Sequence, residues 1–256
     1  MNKKLWYVTA IVLAIVNIVM YLVIPLPDRV FVFWDDLSRL VSIALAAVFL
    51  LQASRIAGSA DQKAFRLFAL GFGCRAIGHL LWVIFDFTSK STAKPFPSLS
   101  DIGFFAFYAF MLLGLLFLLK HYLPLISKVQ WIAAAGVLIA LLAVASFFVR
   151  PAMDYFHYYQ LSWLPKFLIF AYPLLGIVVI ALILPIVLLF AGGNIGQSWL
   201  ITVVGFAAIA AVDIRFPNLH VTGHFITDNA GLLSALGGLL VAVGSLRFTH
   251  SHTTAS

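Results

Sequence analysis

Charge is scarce in this chain and cysteine scarcer still. Only 10% of the 256 residues are Asp, Glu, Lys or Arg, against 63% hydrophobic, and the mean hydropathy is +1.08. So little polar surface cannot cover a soluble globule of this length. The single cysteine, Cys74, excludes an intrachain disulfide and leaves the redox compartment unread. Soluble domains are missing as well: no gap between the apolar runs reaches 20 residues. Gly192, Gly193 and Gly196 lack the lysine of a phosphate-binding loop, so nucleotide binding is not supported. No lysine stands inside the last apolar runs, which removes a retinal Schiff base. The net charge of +7 would suggest nucleic acid in a soluble domain. Here the basic residues sit in short loops, where orientation in a bilayer accounts for them, and no nucleic-acid partner is expected.

What is present is a series of eight apolar spans, over residues 5–24, 38–58, 64–86, 101–123, 129–149, 167–190, 198–216 and 227–247. Each approaches or exceeds the length that crosses a hydrocarbon core as a helix. The expected fold is therefore all-α, a polytopic integral membrane protein of eight transmembrane helices. The first span follows MNKK and ends in YLVIPLP without a small-residue cleavage site, so it reads as a retained helix and not a signal peptide. Pro173 and Pro185 are expected to bend the sixth span. The segment 154–165, DYFHYYQLSWLP, reads as an aromatic interfacial stretch between spans.

The richest stretch is 95–120, PFPSLSDIGFFAFYAFMLLGLLFLLK. Pro95 and Pro97 end a loop. Ser98 and Asp101 have the S-x-x-D spacing of a capping box, in which hydroxyl and carboxylate each satisfy a backbone donor. No charge follows until Lys120.

With a cytoplasmic N-terminus, the inner side carries Lys3, Lys4, Arg55, Lys63, Arg66, Lys120, Lys128 and Arg247, eight basic residues against seven outside. The outer side then holds eight of the nine acids, Asp61 being the exception. Both termini are expected in the cytoplasm, in an inner (plasma) membrane. Trp6, Trp131 and Trp199 fall near inner ends and Trp34, Trp82 and Trp163 near outer ends, as interfacial belts would.

An internal repeat organises the spans. His79 follows Gly71 by eight residues and Asp213 follows Gly205 by eight; Asp101 precedes Lys120 by 19 and Asp228 precedes Arg247 by 19. This predicts a tandem duplication of a four-helix unit, 1–124 and 125–256, with the copies parallel because each holds an even number of spans.

Arg75, His79, Trp82 and Asp86 recur at four, three and four, so they line one face of the third span. Ionisable groups in an apolar span are costly and point inward. Two readings fit: a pocket for a ligand or proton, or a polar stripe tying this helix to the seventh span through Asp213. Asp101 reads first as a cap, and Tyr108, two turns on, as a packing residue with a satisfied hydroxyl. His220 and His224 have an i, i+4 spacing that suits zinc, with Asp213, Asp228 and His79 as further ligands; Pro217 and Gly223 argue instead for a loop.

The runs AIGHLLW (76–82), PFPSLSDIGFFAFY (95–108) and VDIRF…TDNAGLLSALGGLLVA (212–242) resemble the multi-helix membrane input region ahead of output domains in bacterial diguanylate cyclase/phosphodiesterase (GGDEF/EAL) proteins and some sensor histidine kinases. In that pattern a P-S-L-x-D run opens a helix and a tyrosine follows the aspartate by seven, as Asp101 and Tyr108 do here. The resemblance implies a sensory module. His79 stands where that family often has an acid, and no output-domain signature follows the eighth span, so cyclase activity is not carried over; the chain is then either a free-standing relative that signals through a separate protein or a piece of a longer one.

The expected function is thus a membrane sensory or signal-input module without its own catalytic residues. It would bind a ligand, proton or lipid at Arg75, His79, Trp82, Asp86, Asp101, Tyr108, Asp213 and Asp228. A first alternative is an outer-facing zinc-dependent membrane hydrolase using His220 and His224. Such a site would be similar to those of the alkaline ceramidase and adiponectin-receptor type, whose second-helix serine and histidine are missing here. A second alternative is an accessory subunit of a larger membrane complex.

Overall fold

A chain this apolar satisfies its backbone internally or not at all, and helices do so within each segment. The computed structural model describes residues 3–89, 96–159, 162–190, 194–222 and 230–253. Among these residues the architecture is all helical, without strands: α1 (Lys3–Leu22), α2 (Asp28–Ser54), α3 (Ser59–Thr88), α4 (Ser100–Tyr122), a 3-10 turn (Leu123–Leu125), α5 (Lys128–Tyr159), α6 (Trp163–Leu189), α7 (Asn194–Thr222) and α8 (Ala230–Thr253). All eight α-helices are long and apolar enough to cross a membrane.

Local signals start these helices as the chain dictates. Pro27 precedes α2 and Gly58 precedes α3. At α5 a full capping box closes: the Ser127 amide donates to Gln130 Oε1 at 2.7 Å and the Gln130 amide to Ser127 Oγ at 3.4 Å. At α4 only the carboxylate half forms. The Ser98 amide donates to Asp101 Oδ2 at 2.6 Å, while the Ser98 hydroxyl turns to the same carboxylate at 3.2 Å and caps no amide. Helix α6 runs on through Pro173 and Pro185. The backbone of 154–159 continues α5, so the first half of the aromatic segment lengthens a helix and does not form a separate stretch.

Six helices close a ring in the order α2, α3, α4, α6, α7, α8 and back to α2. Helix α1 lies outside this ring against α8, and α5 lies outside it against α6 and α7. Both outer helices are consequently poor in buried positions, with Leu5, Ile11, Ile15, Ile132 and Ile139 facing outward. Small residues bring ring neighbours close. A Cβ on Gly103 would stand 2.5 Å from the Cys74 carbonyl oxygen, and one on Gly205 would stand 2.5 Å from that of Gly237. These positions set the α3–α4 and α7–α8 spacings.

The ring interior has two layers. Toward the start of α3 it is aromatic: Phe65 stacks on Trp199 at 5.3 Å and meets Phe248 at 4.8 Å, and Phe72 touches Phe206 and Phe107. Trp199, placed by its sequence position in an interfacial belt, is instead a core residue at 2% exposure, because that stack encloses it. Toward the end of α3 the interior is polar.

Candidate functional site

Arg75 stands near the middle of the 30-residue α3, on the face turned into the ring. Its Nη1 and Nη2 donate end-on to the two carboxylate oxygens of Asp213 on α7, each at 2.9 Å. The guanidinium also lies over the rings of Phe104 and Phe107 on α4, 5.5 and 5.0 Å from their centroids. The Tyr108 hydroxyl donates to Asp213 Oδ2 as a third bond. Gly176 of α6 makes room for it, since a Cβ there would stand 3.3 Å from the Tyr108 oxygen. Four helices, α3, α4, α6 and α7, therefore meet at one buried ion pair. Planar guanidinium and carboxylate match edge to edge, which makes this a strong and directional contact where solvent is excluded.

Asp101 does more than cap α4. Its Oδ1 accepts from the Tyr172 hydroxyl of α6 at 2.5 Å, so one carboxylate holds the start of α4 and pins it to α6. Tyr172 was not singled out by sequence, because a tyrosine inside an apolar span reads as packing.

A second polar node lies across the ring. Asp35 on α2 pairs with Arg39 one turn along, and accepts from the Tyr21 hydroxyl of α1 at 2.5 Å. Ser38 sits within 3.2 Å of the same hydroxyl. Gly231 of α8 abuts the Asp35 carboxylate and leaves no space for a side chain. Arg39 lies within electrostatic reach of Arg75, His79, Asp86 and Asp213, which joins the two nodes into one polar layer. The node of Asp35, Arg39 and Tyr21 is not legible in the sequence, because the charges of Asp28, Arg29, Asp35 and Asp36 depress hydropathy and push the apparent start of the span to 38, ten residues after α2 begins.

His79 faces this layer at 1% exposure, its ring edge-on to Trp82 at 5.7 Å and to Phe104 at 5.1 Å. Asp86, farther along the same face, is half-buried. Of the residues expected to form a pocket, Arg75, Tyr108 and Asp213 touch directly, Asp101 joins through Tyr172 and α6, and His79 and Trp82 pack on Phe104 beside them. Asp228 and His224 lie outside the described residues, as does the His220 side chain. Among the described residues no three His, Cys or acidic side chains cluster as metal ligands would.

By architecture and site this is an eight-helix bundle with the length and composition of a multi-pass membrane protein, built around a buried polar layer. Comparison with protein-family models, with curated proteins and with solved structures yields no match.

Proposed function

We propose that the protein is a multi-pass sensory input module of a bacterial inner membrane, binding a ligand, proton or lipid in its polar layer and passing a shift between its two halves to a separate signalling protein. The single observation that carries this reading is the Arg75–Asp213 pair with its Tyr108 clasp. It joins α3 and α4 of residues 1–124 to α7 of residues 125–256 through charges that are expensive to bury. A bilayer protein that needed adhesion alone would reach it through small residues and close packing, as α3–α4 and α7–α8 already do. The aromatic layer around Phe65 and Trp199 lies between the polar layer and the end taken as cytoplasmic, which favours a ligand arriving from the extracytoplasmic side. The likeness of Asp101 and Tyr108 to membrane input regions supports the same reading.

The tandem repeat belongs to this proposal. In a 4+4 duplication α4–α6 corresponds to α8–α2, and these are the two seams that close the ring. A Cβ on Gly71 of α3 would stand 3.3 Å from the Phe110 Cβ, and one on Gly205, its counterpart on α7, would meet the carbonyl oxygen of Gly237, the counterpart of Phe110 in α8. At the opposite end Tyr122 of α4 binds Asp61 of α3 at 2.9 Å, and Arg247 of α8 binds Gln197 of α7. Two such halves, meeting at charged groups, are units that one ligand could bias against each other, provided it favours one arrangement.

The test places spin labels at Phe87 (α3) and Trp163 (α6), both exposed, in a Cys74→Ala background and measures the distance distribution between halves. Asp213→Asn, which leaves Arg75 without an anionic partner, is expected to shift that distribution. Identical distributions in parent and variant remove the input-module reading, with Tyr108→Phe as the second variant should Asp213→Asn fail to fold.

A further inference from the structure

Helix α1 leans on α8 and stands off α2, which it meets through side chains: the Tyr21 hydroxyl at Asp35 near one end, and the Trp6 indole edge-on to Phe49, centroids 5.2 Å apart, near the other. At the Trp6 end the three helices leave a cleft between them. It is lined by Trp6 and Ala10 of α1, Leu45 and Phe49 of α2, and Ala242 and Val243 of α8. Thr9 borders it too, with its hydroxyl spent on the Leu5 carbonyl at 2.9 Å, so the walls are apolar. The cleft is shallow, with about 10 Å³ of free volume. That is a groove for the edge of one hydrocarbon chain and not for a helix about 10–12 Å across.

Positive charge gathers at the mouth of this cleft. Arg247 lies one turn beyond Val243 on the same face of α8, which sets it at the rim. Its charge reaches the Tyr7 hydroxyl on α1, and its Nη2 donates to Gln197 of α7, which fixes the guanidinium at the helix end. Lys4, exposed, stands two residues before Trp6, and Arg55, also exposed, caps α2 six residues past Phe49, roughly 9 Å along the axis. Each of the three helices therefore brings a cation to the same end of an apolar groove, and such side chains reach along apolar surface to the headgroup level. The one acid of that side, Asp61, is bound by Tyr122 of α4. Apolar walls below a basic rim complement a molecule with a hydrocarbon chain and an anionic head, and a guanidinium is well suited to phosphate.

We propose that the cleft between α1, α2 and α8 is a site for one anionic phospholipid, whose acyl chain lies along Trp6, Phe49 and Ala242 and whose phosphate is met by Arg247, with Lys4 and Arg55 adding positive charge around it. The site lies outside the ring, apart from the polar layer, and does not depend on the input-module reading. No covalent step is involved.

The experiment uses the full chain in detergent, with bound lipid counted by native mass spectrometry at constant ionic strength during titration with dioleoylphosphatidylglycerol or dioleoylphosphatidylcholine. The two share their acyl chains and differ in net charge. Phosphatidylglycerol is expected to saturate one site at a concentration about tenfold lower than phosphatidylcholine requires. Inorganic phosphate added with it should leave that value unchanged, because chain and head are bound together. Arg247→Gln should raise the half-saturating phosphatidylglycerol concentration about fivefold and leave phosphatidylcholine unaffected. Ala10→Phe, which fills the cleft without touching a charge, should weaken both lipids about tenfold. Equal half-saturation by the two lipids, displacement by phosphate, or unchanged phosphatidylglycerol binding in either folded variant overturns the assignment. Ala10→Phe, on the outer helix α1, decides alone if Arg247→Gln does not fold.

Discussion

Arg75 and Asp213 show why a charged residue in an apolar span is informative. Removing either partner leaves the other buried and unpaired, whereas removing both leaves only a packing defect. Asp213→Ala alone is therefore expected to lower stability by about 3–5 kcal/mol in denaturant unfolding in micelles, and Arg75→Leu/Asp213→Leu together by clearly less than the sum of the single changes. Tyr108→Phe, which deletes one bond to the same carboxylate, should cost about 1 kcal/mol, in the range found for hydrogen bonds between membrane helices. The pair was legible in the sequence, since Arg75, His79, Trp82 and Asp86 share a face and Asp213 is the acid of the seventh span. Arg39 and Asp35 were not. Asp28, Arg29, Asp35 and Asp36 make residues 28–37 look like a loop, and the Asp35–Arg39 pair and the bond from Tyr21 help make that stretch tolerable inside a helix bundle.

At the scale of the helix, glycine separates packing positions from open ones. Gly205 lies where a Cβ would meet the Gly237 backbone, while Gly136 on the outer helix α5 has nothing within 4 Å. Gly205→Ala should therefore destabilise by about 1–3 kcal/mol through forced separation of α7 and α8. Gly136→Ala should stabilise by about 0.5–1 kcal/mol by lowering the entropy of the unfolded chain. Opposite signs in the same unfolding assay check the pair of expectations. Helix existence was readable at this scale because long charge-free runs have few alternatives. Neighbour choice was not: Trp199 sits near a helix end, where a belt residue belongs, yet the Phe65 ring draws it into the core.

Across the whole molecule, the ring of six helices with α1 and α5 outside it makes the halves interdependent. The α4–α6 seam is held by Asp101–Tyr172 and the α3–α7 contact by Arg75–Asp213, so both cross from one half to the other. Residues 1–124 and 125–256 expressed as separate chains in one cell should co-purify, and Tyr172→Phe with Asp213→Asn in the second chain should abolish recovery of the pair. Orientation has its own check. In a Cys74→Ala background, a cysteine at Phe87 should react with a membrane-impermeant maleimide added to intact cells, and one at Leu125 should not; both positions are exposed. The reverse pattern would invert the topology.

Eight helices and their all-α character follow from composition alone, because apolar runs of this length leave the backbone no partner but itself. Which polar groups meet is a different matter. Hydropathy records how much a residue dislikes lipid but not its azimuth about the helix or the helix it will face, and these emerge when six helices rotate and pack into a closed ring. The bond from Tyr172 to Asp101, the pairing of Arg39 with Asp35 and the burial of the His79 imidazole exist only at that level.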